Sequence, residues 1–292
     1  MPDFGLLKVF LRELLGIRSL DRSLRLISNM SAEGQVHAME HGGDVKGRTA
    51  AGYLFHAAHI CRTIQGCNTV IDLGCGTGVQ LIQVAQLNPQ VQFIGVDHSR
   101  AMLDAAARYS AANAVENVEF LLDNIEDLRS VDSASVDGVI STMTLHHLVD
   151  IGGLTRCFSE ISRILKPNGV VYIEDFGRLK CESSVKYFVG RGDQGDQDGF
   201  LELYEASMRA AFMAEELRTI AGSMLPTDVQ IYKTFPIPFL VVVKTPGIEL
   251  TDGQEQKLGH GLASLNSLQR QDYRDLALAF RLGGLSDGIP KS

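Results

Sequence analysis

Tryptophan is absent from the 292 residues and the other aromatics reach only 7%, so the chain has no tryptophan with which to build an interfacial belt. Its five cysteines (Cys61, Cys67, Cys75, Cys157, Cys181) contain no Cys-x-x-Cys pair and no Cys/His zinc spacing. That excludes a disulfide scaffold and a zinc module, and free thiols fit a reducing cytoplasm. Positive charge is scarce as well: 27 Lys and Arg face 35 Asp and Glu, a net charge of −8. Neither nucleic acid nor an acidic membrane is therefore the partner that the overall charge favours, because phosphate binding needs a clustered positive field. No apolar run approaches the ~20 residues of a bilayer crossing. Phe4–Ile17 comes nearest, but Lys8, Arg12 and Glu13 interrupt it and no small-residue cleavage site follows. It reads as an amphipathic helix that covers the core or meets a second copy of the chain, with docking on a membrane surface as the alternative.

What remains is an ordinary globular composition, 45% hydrophobic and 21% charged. Between residues 69 and 175 apolar strands alternate with helical periodicity, which predicts a parallel sheet with crossover helices. Strands are expected at Thr69–Leu73, Val91–Val96, Val118–Leu122, Val136–Ser141 and Val170–Ile173. Helices are expected at Val79–Leu87, stopped by Asn88-Pro89, at Arg100–Ala112 behind Ser99, and before Lys166-Pro167-Asn168-Gly169. Val229–Thr234 and Phe239–Val243 are joined too tightly for a parallel crossover, so they predict an antiparallel pair on the sheet edge. One long helix is expected over Phe200–Ala221 and one over Ser264–Arg281.

The first strand runs into Asp72-Leu-Gly-Cys-Gly-Thr-Gly78, and the second ends in Asp97, 19 residues beyond Gly78. A carboxylate at that place can hold the two hydroxyls of a ribose while the rest of a nucleoside lies over the glycines. A dinucleotide fold asks for Gly-x-Gly-x-x-Gly; here the third glycine comes one residue early and Val79 stands where it should be. Asp72 would repel a pyrophosphate and attract an ammonium. The pattern favours S-adenosylmethionine and disfavours a nicotinamide-dependent dehydrogenase.

In order, Asp72–Gly78, the acid-tipped second strand, Leu122-Asp-Asn-Ile125, Asp137–Ser141 with Leu145-His-His147, and Leu165-Lys-Pro-Asn-Gly169 resemble the core of the class I S-adenosylmethionine-dependent methyltransferases. The resemblance covers a little over a third of the chain. It implies an α/β fold: a doubly wound, seven-stranded, mostly parallel sheet whose final strand is antiparallel. It also implies a cofactor site. Gly74, Cys75, Gly76 and Gly78 would let backbone approach the methionine portion, and Asp72 would orient its ammonium. Asp97 would take the ribose hydroxyls, with His98 beside it. Asp123, Asn124 and Ile125 would meet the adenine edge, Met102 would lie against the ring or ribose, and Ser141 would line the floor.

His146 and His147 are the candidate general bases, since imidazole titrates near neutrality. The box of Asn/Asp-Pro-Pro-aromatic type that methylates exocyclic amines is missing, and no carboxylate cluster predicts a metal. Glu174 and Asp175 close the fifth strand on the edge where ligands bind. Alternation allows only one to face the pocket; an ion pair with Arg178 or Lys180 is the plainer reading. Tyr53, in a tract with Arg48, His56 and His59, is a candidate substrate contact from an N-terminal cap. Asp193, Asp196 and Asp198 lie in a polar glycine-rich tract read as a lid or solvated loop.

The expected organisation is a helical cap over 1–65, a core over 66–246 with a helical lid at about 177–225, and a helical extension over 247–292. The expected function is transfer of a methyl group to an O, N or C nucleophile of a small, partly hydrophobic metabolite. A non-catalytic cofactor-binding subunit is the alternative.

Overall fold

The computed structural model describes residues 4–24, 33–34, 36, 39, 47, 49–191, 200–225 and 228–285. Arg48 and the three aspartates at 193, 196 and 198 lie outside them. In chain order the elements are α1 (Phe4–Leu15), α2 (Ala50–Thr63), β1 (Thr69–Leu73), α3 (Val79–Leu87), β2 (Gln92–Asp97), α4 (Arg100–Ala112), β3 (Val118–Leu122) and β4 (Val136–Thr142). A 3-10 turn (Leu145–His147) follows, then α5 (Ile151–Ile164), β5 (Leu165–Phe176), α6 (Glu182–Arg191), α7 (Phe200–Ala210), α8 (Ala214–Met224), β6 (Gln230–Lys233), β7 (Leu240–Lys244), α9 (Asp252–Ser264) and α10 (Ser267–Leu282).

The strands form one sheet in the order β3-β2-β1-β4-β5-β7-β6. The first five run parallel, and β7 lies antiparallel to both β5 and β6. The order reverses between β1 and β4, and the connections leaving their C-terminal ends open a crevice there. Alternation along each strand feeds two cores. Val70, Phe93, Ile140 and Tyr172 pack beneath α2 and α3. Ile71, Leu73, Val139 and Ile173 pack beneath α5 and α8.

Helix α2 is buried along nearly its whole length, because the two C-terminal helices close over it. The rings of Phe55 and Phe280 stack with centroids 5.3 Å apart, and Phe55→Ala would forfeit about 3–5 kcal/mol at such a site. The two ends of the chain therefore cover the same face of the sheet.

Two expectations about helices are corrected. The single helix over Phe200–Ala221 is two, broken around Phe212, whose carbonyl accepts from Arg178 N while the Arg22 guanidinium lies 4.0 Å from its ring centroid. Glu216 then caps α8 by accepting from Met213 N at 2.7 Å. One helix is expected in the tail, over Ser264–Arg281; that helix is α10, capped by Asn266 with the Gln269 side chain bonding back to its backbone, and a second helix, α9, precedes it. Among the described side chains of helix α1, Val9, Phe10 and Glu13 turn toward the core, while Leu7, Leu11, Leu14 and Leu15 face outward. Among the described residues no helix is long and apolar enough to cross a membrane.

Candidate functional site

Asp72 sits one residue from the end of β1, 2% exposed, and its Oδ1 has no hydrogen-bond partner. Burial first, and the charge of nearby Asp97 second, push its carboxyl up to about 8. A buried, unpaired carboxylate is costly, and the arrangement makes sense when a cation arrives to neutralise it.

The turn that follows is shaped by its neighbours. Gly74 has φ +77°, and a Cβ there would come within 2.1 Å of Thr144 Cγ2; only glycine tolerates both. Thr144 Oγ1 in turn donates to the Gly74 carbonyl at 3.0 Å. Gly78, also at φ +77°, packs against Ala106 of α4, whose Cβ would stand only 3.0 Å from a Cβ placed there. A Cβ on Gly76 would meet nothing within 4 Å, so this part of the turn borders open space. Cys75 is half-buried inside the turn.

Asp97 terminates β2 with both oxygens engaged: Oδ2 accepts from Gly76 N at 3.0 Å, and Oδ1 accepts from Ser99 N at 2.9 Å. The acid thus ties the glycine turn to the start of α4, and each oxygen keeps a lone pair for an incoming hydroxyl. His98 is exposed, with Nδ1 3.5 Å from Asp97 Oδ1. Met102 stands in the first turn of α4, its N–H bonded to the Ser99 cap.

Asp123 is held by its own loop, Oδ1 accepting from Asn124 N and Oδ2 from Ser130 N. Partial burial alone would raise its pKa, but these N–H groups hold it below the usual carboxylate range. Asn124 is exposed and Ile125 half-buried beside it. Ser141 departs from expectation: it is fully buried and its hydroxyl donates to the Leu73 carbonyl at 2.7 Å, stitching β4 to β1. The hydroxyl nearer the turn is that of Thr144, which sequence reasoning missed.

The register that sets Thr142 opposite Glu174 brings the 3-10 turn against the end of β5. His146 Nδ1 lies 2.7 Å from Asp175 Oδ1, and His146 N donates to Asp175 Oδ2 at 2.9 Å. An ionised Asp175 fixes the proton on Nδ1 and leaves Nε2 as an acceptor. That Nε2 is buried with no partner. His147 is exposed and its ring leans on His146, centroids 4.3 Å apart. Arg22 donates to the His146 carbonyl at 3.0 Å, strapping the turn from the N-terminal segment.

Strand alternation sends Glu174 to the other face. It is buried, and its carboxyl is pushed well above the usual range by desolvation and by Asp175. His56 Nε2 stands 3.6 Å from Glu174 Oε1, while His56 Nδ1 meets the Tyr172 hydroxyl at 2.7 Å. Desolvation, with His59 nearby, pushes His56 down to about 3. Burial thus disfavours the charged form of both groups, and 3.6 Å is too long for a hydrogen bond. The alternative partners lie elsewhere: Arg178 pairs with Glu216, and Lys180 Nζ donates to the Leu14 carbonyl at 3.4 Å. Tyr53 is half-buried one turn before His56, and its carbonyl accepts from Gln80. Phe176, Phe188, Phe239 and Tyr204 form an aromatic cluster past β5. A groove of about 690 Å³ lies elsewhere, at the N-terminal edge of the sheet between Pro89, Asn113 and Lys257. It contains none of these groups.

The fold agrees with what comparison with known proteins finds. Residues 65–205 match the family model described as a methyltransferase domain. The chain is 33% identical over 128 residues to a ribosomal RNA large subunit methyltransferase G of Streptomyces avermitilis, covering 43% of this chain and 33% of that protein. It is 38% identical over 108 residues to an arsenite methyltransferase of Halobacterium salinarum, covering 37% and 27%. These matches thus span about a third of the relatives' own length. Among solved structures, the plantazolicin methyltransferase BpumL in complex with SAH superposes with a TM-score of 0.58 at 14% identity, over 90% of this chain and 95% of that one. Residues 65–205 are thus similar to a methyltransferase domain, on the fold of a methyltransferase solved with SAH, which makes S-adenosylmethionine the cofactor to be matched against these residues. The orphaned Asp72 oxygen fits the cofactor's ammonium, and the open flank of Gly76 beside Asp97 fits its ribose.

Proposed function

We propose that this chain methylates a nucleophile that must lose a proton, a hydroxyl above all, on a small and partly hydrophobic molecule. The observation that carries this reading is the buried, unpartnered Nε2 of His146, whose other nitrogen is fixed by Asp175.

When bound, S-adenosylmethionine supplies an electrophilic methyl group. Asp72 would hold its ammonium, Asp97 its ribose, and the Asp123–Ile125 loop would meet its adenine. His146 accepts the proton of the nucleophile at Nε2 while Asp175 positions the ring and stabilises the imidazolium that results. Burial around the 3-10 turn excludes water from the reacting atoms. In this reading residues 66–246 form the catalytic core, 1–65 a cap and 177–225 a lid, with 247–292 an extension over the cap. The aromatic cluster past β5 and the net charge of −8 support a small apolar substrate over a nucleic acid.

The test is turnover of a panel of hydroxyl, amine and acidic-carbon compounds by wild type, His146→Gln and Asp175→Asn. Both variants should bind S-adenosylhomocysteine normally and lose about 10²–10⁴ in kcat. Undiminished turnover in both variants contradicts the roles of His146 and Asp175. Cofactor binding without turnover across the whole panel favours the non-catalytic subunit.

A further inference from the structure

Helix α1 turns its most apolar arc to solvent. Leu7, Leu11, Leu14 and Leu15 are 52%, 45%, 58% and 76% exposed, and Ile17 just beyond is 92% exposed. At 100° per residue the four leucines occupy about 100° of the helix circumference. Lys8 and Arg12, both exposed, border that arc on one side, and the core-facing Val9 and Glu13 come next. The helix exposes no carboxylate, because its one acid, Glu13, is buried and accepts from Lys180 N at 3.0 Å.

We infer that this arc of α1 docks the protein on an anionic lipid surface, with the leucines entering the headgroup–acyl boundary and Lys8 and Arg12 meeting the lipid phosphates. Monotopic helices share this geometry: an outward apolar face, cations at its border and no bilayer-spanning length. Charge complementarity chooses the occupant. A second copy docked through the same face about a two-fold axis would set Lys8 and Arg12 against their own equivalents with no carboxylate on the helix to answer them. An anionic surface answers both the charge and the apolar area.

Placement agrees. Arg18 donates to the Leu179 carbonyl at 2.9 Å and Arg22 reaches the His146 carbonyl, so the segment leaving α1 runs to the same sheet edge as the cofactor site. Arg22 also donates to the carbonyl of Val149, and Val149 and Ile151 are themselves 67% and 42% exposed.

Co-sedimentation of the full chain with vesicles of phosphatidylcholine, with and without about 30 mol% phosphatidylglycerol, tests the inference. The wild type should bind the anionic vesicles and should be released by salt. Lys8→Gln/Arg12→Gln should weaken binding about 30-fold, about fivefold per cation, and Leu11→Gln/Leu15→Gln should reduce it to the level of neutral vesicles. All four positions are exposed, so far-ultraviolet dichroism and the urea midpoint should be unchanged in both variants, separating lost docking from lost folding. Wild type remaining in the supernatant with anionic vesicles overturns the inference. So does a wild-type dimer in light scattering that Leu11→Gln/Leu15→Gln converts to monomer, which would assign the arc to a second copy.

Discussion

Replacing Asp72 by asparagine should stabilise the ligand-free protein, and increasingly so as the pH rises. The carboxyl titrates at about 8 when folded and near 3.9 in the unfolded chain. With the folded value the higher of the two, the folded state retains a proton that the unfolded state has released across the interval between them. Stability is therefore fully present below about pH 4, falls as pH climbs toward 8, and levels off above that. Integrating the linkage relation between pH 5 and pH 8.5 gives a loss of about 4 kcal/mol attributable to this one group. Asparagine keeps the shape and removes the charge, so its curve lacks that component. The assay is urea unfolding of both proteins at pH 5, 7 and 8.5, read as the difference in free energy at each pH, so that other titrating groups cancel. With a urea dependence of a few kcal/mol per molar, a change of that size displaces the midpoint by on the order of 1 M. A difference that stays constant from pH 5 to 8.5 would refute the view that Asp72 is an uncompensated buried acid. Saturating S-adenosylhomocysteine should narrow the difference, because its ammonium neutralises the acid in the wild type and finds no charge in the variant.

Two further perturbations follow from the same edge of the sheet. Gly74→Ala combines a positive φ with a 2.1 Å approach to Thr144; it should cost about 2–4 kcal/mol in unfolding free energy and abolish detectable ligand binding by displacing the turn. Asp97→Ala removes the acceptor of Gly76 N and Ser99 N together with the ribose anchor. It should weaken S-adenosylhomocysteine at least 100-fold in a calorimetric titration, as expected for losing charged hydrogen bonds to two hydroxyls.

The cofactor half of this site was legible because its signals are local. Asp72, the glycines and Asp97 each announce themselves by position relative to a strand end, and the parallel sheet follows from apolar runs of the right length. The His146–Asp175 pairing was not legible. The two residues were singled out separately, one as a base and one as a substrate contact, and only the register of β4 against β5 brings them together. Thr144 escaped for a similar reason, since its role is to fill the space that Gly74 leaves. The break at Phe212 carries no glycine or proline; it is imposed by the bridge to Gly177 and by Arg22. The start of α10, by contrast, was readable in Asn266-Ser-Leu-Gln269, an N-cap followed by its reciprocal partner.

The central claim is that a buried acid beside the glycine turn receives the ammonium of an adenosyl cofactor. Proton release on binding measures it most directly. S-adenosylhomocysteine is titrated at pH 7 in buffers of different ionisation enthalpy, into wild type and Asp72→Asn. A carboxyl at about 8 is about nine-tenths protonated at that pH, and an ion pair would strip it. The account predicts close to one proton released per ligand bound by the wild type and none by the variant. Absence of binding heat, or the same proton count in both proteins, would contradict it.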